Sequence, residues 1–455
     1  MKPYLLCTRK QSTRQEKAVS EQEAMVKRTG WQRAFTSLQQ RNFRLFWSGQ
    51  SISLLGTMMQ SIGQTWLVWE RTHSSWQIGL VGALQALPIL FFSIFGGVVA
   101  DRWPKRRILL FTQYAAMCQS LLLWLLVVTG SLQLWQLYLL VLLSGLTNSL
   151  GKPVSRSFIV ELVGSEDLPN AYALSSSFAS LARIAGPALG GLIIASTDFT
   201  VLFLLNALSF LPIIISLSFI QSHELHSPAS QDKSMNRQQN TWHSLHQGLS
   251  YVWHTPEILM LTLVVGLVLL FGSNFGVILP SIATNLLHAG SSGLGFLSAA
   301  TGIGALLAAI WLAWSNQRST LRGVLLIMLI FALLEVAFSF SHHYYVSLLL
   351  MTSIGFTEEL FAMQSIATLQ IITPRHLNGR VTSVQVLLFD GSLPLGYLLM
   401  GWLSATTGAP TALLIGALIC LLVVICGWIY ARRASFLILQ SQSGNLERKG
   451  NIPTI

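Results

Sequence analysis

The stretch GGVVADRWPKRR, residues 96–107, is where the most apolar kind of sequence in this chain meets the most basic. Two glycines end a hydrophobic run, Asp101 and Arg102 follow within one helical turn, and three more cations precede Ile108, where the next apolar run begins. Cations beside a membrane segment hold that end in the cytoplasm. The stretch therefore predicts two membrane helices joined by a very short cytoplasmic turn.

The composition of the whole chain agrees with this interpretation. Of its 455 residues, 52% are hydrophobic and only 10% are charged, whereas about a quarter of the residues of soluble domains are charged. The net charge of +11 does not indicate a nucleic-acid partner, because all Lys and Arg residues except Arg71 and Arg183 fall in segments that must share one side of the bilayer. The chain is predicted to be a polytopic membrane protein embedded in a lipid bilayer.

Apolar stretches long enough to cross a membrane recur along the chain. A crossing helix needs roughly 20 apolar residues, and we count twelve such stretches, which predicts an all-α integral membrane protein with both termini in the cytoplasm. The predicted spans, numbered 1 to 12 in chain order, are 45–69, 76–99, 107–129, 134–157, 171–195, 200–220, 257–281, 291–314, 321–340, 344–369, 380–404 and 410–431.

An internal repeat divides the spans into two six-helix bundles. GLTNSL in span 4, Gly145 to Leu150, aligns with GFTEEL in span 10, Gly355 to Leu360, and such repeats are common in transporters. The linker histidines have no carboxylate or cysteine partners at ligand spacing, so we expect no metal and no cofactor. The predicted segments are a tail at 1–44, a first bundle at 45–220, a linker at 221–256, a second bundle at 257–431 and a tail at 432–455.

The quoted loop resembles the G-x-x-x-D-R-x-G-R-R loop between spans 2 and 3 of the major facilitator superfamily. Its matching residues are Gly97, Asp101, Arg102, Lys105 and Arg106. Pro104 stands where the family usually has glycine, which makes the turn stiffer. The resemblance implies that the loop latches the two halves together in the outward-open state; a simple charge anchor is the alternative.

Span 5 carries a second part of the resemblance in ARIAGPALGG, residues 182–191. The residues that match the end of the G-P-x-x-G-G pattern of antiporter branches are Gly186, Pro187, Gly190 and Gly191, while earlier glycines of the pattern are replaced by Ala173 and Ala182. A proline flanked by glycines permits a kink and close helix packing, and a mere packing groove would need the same residues. Over roughly residues 42–431 the chain is similar to the twelve-span drug:proton antiporter branch, which includes enterobactin-export and macrolide-efflux members.

Few ionisable residues lie inside the predicted spans, and each costs about 2.5–3.5 kcal/mol at mid-bilayer on insertion scales. Glu358 and Glu359 in span 10 are our first choice for proton coupling, because span 10 lines the central cavity in the family that the chain resembles. Asp390 is the second choice, and Arg183 is the expected partner of an acid. A structural carboxylate pair is the alternative, and Glu335 is expected to extend towards the headgroups.

Polar side chains within the spans are candidates for the lining of a substrate cavity. Gln60 and Gln64 lie on one stripe of span 1, and Asn148 in span 4 and Asn274 in span 7 extend the possible lining. Polar contacts that hold helices together are the alternative.

The resemblance implies a monomeric rocker-switch exporter in a bacterial cytoplasmic membrane. Its expected substrate is a small amphipathic organic molecule of drug, macrolide or siderophore type, and inward proton flow is the expected driving force. A proton-coupled nutrient importer and a transport-dead sensor remain alternatives. The sequence has no nucleophile with a base, no HExxH motif and no phosphate-binding loop, so we do not expect an enzyme.

Overall fold

The computed structural model describes residues 36–220, 225, 241–315, 319–374 and 377–450, except for the side chains of 92–102, 241–246, 390 and 433–450. The predictions for residues 1–35, for most of 221–240 and for 451–455 lie outside the described residues. The part of the chain that is described contains helices and no strand, so the all-α prediction is confirmed.

Twelve long segments follow one another as predicted, and we keep the span numbers for them. Their observed bounds are Arg41–Thr72, Ser75–Arg102, Lys105–Val128, Leu134–Val163, Leu168–Ser196, Phe199–Phe219, Pro256–Leu286, Gly290–Trp314, Leu321–Ser339, Tyr344–Ile372, Asn378–Thr407 and Ala409–Gly450. Within the described residues, ten are long and apolar enough to cross a membrane. The two segments outside this group are spans 1 and 2. Span 1 carries the polar stripe, and in span 2 only Ser75–Phe91 is a described apolar stretch.

Span 7 differs from the uninterrupted helix that the sequence predicts. One helix ends at Phe271, a second runs from Phe275 to Ser281, and a π-helical turn continues to Leu286. The residues between the first two helices, 272–274, form what we call the span 7 break. A break inside a membrane needs other partners for the freed backbone groups, and Asn274 supplies one because its Nδ2 donates to the carbonyl oxygen of Leu270 at 2.7 Å.

The linker contains an additional helix, Thr241–His254, which the sequence reading did not predict. This linker helix packs against the start of span 11, where the guanidinium of Arg380 donates to the side-chain oxygen of Gln247. The backbone of Gly248 also approaches that of Arg380 closely, which leaves no room there for a larger residue.

Two helix pairs make the most extensive contacts between the halves: span 2 packs along span 11, and span 5 along span 8. We call the end of the bundle that carries Arg41 and the turn at 103–104 the tail side, and the opposite end the far side. On the far side, the indole Nε1 of Trp69 donates to Thr284 Oγ1 at 2.9 Å, and the Ser404 hydroxyl donates to Ser75 Oγ at 2.8 Å. The far side is therefore closed by contacts between the halves.

Candidate functional site

A cavity of about 390 Å³ lies within the first half, between spans 1, 3, 4, 5 and 6. It extends from the tail-side ends of these helices, at Phe46 and Tyr172, to Gln60 and Asn206 at mid-span. Its lining includes two cations, Lys152 and Arg156, and no described lining residue is Asp or Glu. The remaining polar lining consists of Gln50, Ser51, Ser53, Thr57, Gln60, Thr112, Gln113, Gln119, Ser120, Ser144, Thr147, Asn148, Ser155, Ser175, Ser176 and Asn206.

A buried network of amides and hydroxyls forms the deep end of this cavity. Gln60 Oε1 accepts hydrogen bonds from Ser120 Oγ at 2.9 Å and from Asn206 Nδ2 at 2.5 Å. Asn206 Nδ2 also donates to Ser120 Oγ at 3.0 Å, and Gln60 Nε2 reaches Gln119 Oε1 at 3.4 Å. Because buried polar groups are costly unless they are paired, the network fixes spans 1, 3 and 6 relative to one another.

The four predicted cavity residues do not share one surface. Gln60 and Asn148 line the cavity, whereas Gln64 and Asn274 do not. Gln64 is buried one turn beyond Gln60 and its Nε2 has no partner among the described residues. Asn274 is fully buried at the span 7 break, where it donates to backbone carbonyls.

Two of the predicted charged residues interact across the boundary between the halves. Arg183 in span 5 is exposed, and Glu358 in span 10 is half-buried. The two attract each other electrostatically without forming a direct ion pair. Glu358 also lies next to Ser273 of the span 7 break and interacts electrostatically with Tyr397 of span 11. Glu358 is therefore an acid of the opposite half with which Arg183 interacts electrostatically.

Glu359, the neighbour of Glu358, is also half-buried, and the repulsion between the two carboxylates acts on Glu358. The side chain of Asp390, the remaining predicted acid, lies outside the described side chains.

The two described cations of the predicted latch are engaged within the first half. Lys105 Nζ lies 2.8 Å from Glu161 Oε1 of span 4. Arg106 donates from Nε to the carbonyl oxygen of Leu217 at 2.6 Å and from a terminal nitrogen to that of Ser218 at 2.7 Å, at the end of span 6. For the other latch residues, Gly97, Asp101 and Arg102, the structure describes only the backbone.

The glycines of the span 5 motif make contacts in two directions. A methyl group added at Gly190 would lie 2.6 Å from Ile62 Cγ2 of span 1, and Gly186 is equally tight against Met58 of the same span. One added at Gly191 would lie 2.9 Å from the Cα of Gly295 in span 8, and one added at Gly295 would lie 2.5 Å from the carbonyl oxygen of Pro187. The motif thus packs span 5 against its own half and against the opposite half.

Glu335 is the residue that sequence reasoning placed wrongly. It is fully buried inside the second half, so the expectation that it extends to the headgroups is wrong. Neither carboxylate oxygen has a hydrogen-bond partner in the part of the chain that the structure describes. The signal that would have located it is spacing, because Met328, Phe331 and Phe338 lie at helical intervals on the same buried face of span 9.

Comparisons with known proteins agree with this architecture. A family model described as a transmembrane secretion effector, of the major facilitator group, matches residues 32–437. The chain is 22% identical to the staphyloferrin A transporter of Staphylococcus aureus, over 78% of this chain and 88% of that protein. It is 25% identical to the enterobactin exporter EntS of Escherichia coli, over 84% of this chain and 92% of that protein.

Solved structures with low sequence identity share the fold. The nucleoside transporter NupG matches 84% of this chain and 98% of its own with a TM-score of 0.66 at 12% identity. A bacterial homolog of the human lysosomal transporter Spinster, in an inward-facing and occupied conformation, matches 86% and 96% with a TM-score of 0.66 at 12% identity. The predicted fold class is confirmed, and the chain belongs to the transmembrane secretion effector family of the major facilitator superfamily.

Proposed function

We propose that this protein is a secondary active exporter that moves a small organic molecule out of the bacterial cytoplasm in exchange for protons. The observation that supports the proposal best is the asymmetry between the two sides. Contacts between the halves close the far side, while a polar cavity reaches from the tail side to mid-span. This geometry is one of the two states that alternating access requires, with the tail side as the cytoplasmic side of the cell membrane.

The proposed substrate class is a polar organic molecule that carries negative charge, of siderophore type. The cavity lining supports this class, because it combines many amide and hydroxyl groups with Lys152 and Arg156 and has no described acid. Such a lining suits carboxylate or other anionic oxygens, with which guanidinium and ammonium groups form strong hydrogen bonds. The names of the staphyloferrin A transporter and the enterobactin exporter support the same class.

In the proposed cycle, the interaction of Arg183 with Glu358 changes as the halves rock. Glu358, Glu359 and Asp390 are the proposed coupling acids, and protonation of Glu358 would remove its attraction to Arg183 across the boundary. Lys105 and Arg106 would leave their partners in the first half to latch the tail side when the far side opens. The protein is proposed to work as a monomer with both termini in the cytoplasm.

Transport by the purified protein in liposomes tests this proposal. Siderophores of carboxylate and catecholate type, macrolides and lipophilic cations are added in turn, and substrate flux is measured together with proton movement. We expect anionic siderophores to evoke coupled proton movement. Transport of lipophilic cations alone would contradict the proposed substrate class, and uptake that runs with the proton gradient would contradict export.

The variant Arg156→Gln tests the proposed role of the cavity. Hydrogen bonds to charged groups contribute about 1.5–3 kcal/mol, so we expect the KM for an anionic substrate to rise about tenfold or more while a neutral substrate is unaffected. Arg71→Gln removes another exposed arginine, at the far-side end of span 1, and is the matched control. Equal KM values in the two variants would remove Arg156 from substrate binding.

A further inference from the structure

The second half contains a carboxylate that none of the interactions described so far explains. Glu335 in span 9 has no exposed surface, and both of its oxygens lack a hydrogen-bond partner among the described residues. A methyl group added at Gly272, in the span 7 break, would lie 3.2 Å from Glu335 Oε1 and 2.8 Å from a ring carbon of Phe331. The carboxyl group therefore rests against the broken backbone of span 7, among apolar side chains.

Among the described residues, the neighbourhood of Glu335 offers no cation to balance a charge at this position. The titratable groups that interact with Glu335 are the Cys420 thiol of span 12 and Glu358 of span 10. Neither carries a positive charge. An unpaired ionised carboxylate in such a place costs several kcal/mol, whereas a neutral carboxylic acid removes most of that cost. The arrangement suits a carboxyl group that holds a proton.

The position of Glu335 also suits exchange with both sides of the membrane. It lies four residues before span 9 ends at Ser339 on the far side, while Glu358, with which it interacts electrostatically, is half-buried at the boundary between the halves. Ser273 of the span 7 break lies next to Glu358. The break thus touches both acids, and a rearrangement of its backbone at Gly272 would change the surroundings of the Glu335 carboxyl group.

We propose that Glu335 is the proton-binding site that couples export to the proton gradient, with the span 7 break as its gate. This inference rests on the proposed function. In the far-side-open state the Glu335 carboxylate takes a proton from far-side water. In the tail-side-open state the acid gives that proton to the Glu358 carboxylate, which passes it to water in the space between the halves. One proton enters and one leaves in each cycle, and no other reactant is needed.

The variant Glu335→Gln separates coupling from transport, because glutamine has nearly the shape of the protonated acid but cannot release a proton. We expect liposomes with this variant to keep substrate exchange at equal concentrations on both sides and to lose both proton-driven accumulation and substrate-evoked proton movement. Glu257→Gln, the same change near the tail-side start of span 7, is the matched control and should keep all three. Coupled proton movement in Glu335→Gln would overturn the inference, as would accumulation driven by sodium instead of protons.

A second measurement needs no variant and no known substrate. Dicyclohexylcarbodiimide is an apolar reagent that modifies protonated carboxyl groups within membranes, and peptide mass spectrometry locates the modified residue. We expect modification at Glu335 in the wild-type protein and less of it as the pH is raised. An unmodified Glu335 would overturn the inference even if export is demonstrated. If Glu335 is modified in a protein that moves no substrate, the proposed function is contradicted, whereas the conclusion that Glu335 binds a proton remains.

Discussion

A close approach of two helices from opposite halves gives a sharp test of the rocking motion. Span 5 and span 8 meet at Gly191 and Gly295 near the far side, where neither residue has a side chain. We expect the variant Gly191→Ala to weaken far-side closure and to favour the far-side-open state.

The size of the effect follows from the space available. The added methyl group would lie 2.6 Å from the carbonyl oxygen of Ser291 and 2.9 Å from the Cα of Gly295. Both neighbours are backbone atoms, so the helices themselves must move apart to relieve the contacts. Overpacking of this kind costs about 1–3 kcal/mol. If the proposed rocking motion breaks the contact when the far side opens, the population ratio should shift by about 5- to 150-fold towards the open state.

Double electron–electron resonance measures this shift directly. Spin labels at Ser131 and His342, which are exposed in far-side loops of the two halves, should report a larger population at long distance in the variant, in a background without the native cysteines. Gly266→Ala is the control, since a methyl group there meets nothing within 4 Å. Distance distributions that are identical in wild type, Gly191→Ala and Gly266→Ala would refute the idea that this contact governs closure.

Two further predictions concern the far-side contacts and the buried network. Oxidation of the double variant Ser75→Cys/Ser404→Cys should form a disulfide, because the two hydroxyl oxygens are 2.8 Å apart. The disulfide should stop transport until a reductant is added. Full activity of the cross-linked protein would show that the far side need not open there. Asn206→Leu removes one of the two donors to Gln60 Oε1 and the donor to Ser120 Oγ, and should lower the free energy of unfolding by about 1–3 kcal/mol, measured by thermal unfolding in detergent. An unchanged melting temperature would contradict this structural role of the network.

The sequence predicts those parts of the molecule that local patterns determine. Apolar length locates the spans, because the bilayer sets the length of a crossing helix, and the polar stripe of span 1 contains Gln60, which lines the described cavity. The partners of Gln60 could not be predicted in the same way. Asn206 and Ser120 lie on other helices, 146 and 60 positions away, and their pairing depends on how spans 1, 3 and 6 pack.

The span 7 break shows the same limit for the backbone. The sequence at 272–274 reads Gly-Ser-Asn inside a strongly apolar run, and a continuous helix would satisfy every backbone group there. The break is stable because the Asn274 side chain supplies a donor for a freed carbonyl group. The three residues alone do not indicate that the packing of the second half accommodates an interrupted helix at this position.

The two acids of the second half show why the position of a charge in the fold matters more than its position in the sequence. Sequence reasoning favours Glu358 and Glu359 because adjacent carboxylates in a membrane span are unusual, and it discounts Glu335 as a residue near a helix end. In the structure, Glu358 interacts electrostatically with Arg183 of the opposite half, while Glu335 has no counter-charge among the described residues. A carboxyl group that faces a cation in one state is suited to sense rocking, whereas one without any partner is suited to store a proton. Since the described cavity belongs to the first half and both acids belong to the second, substrate and proton in the proposed cycle communicate through the contacts between the halves rather than by competing for one residue.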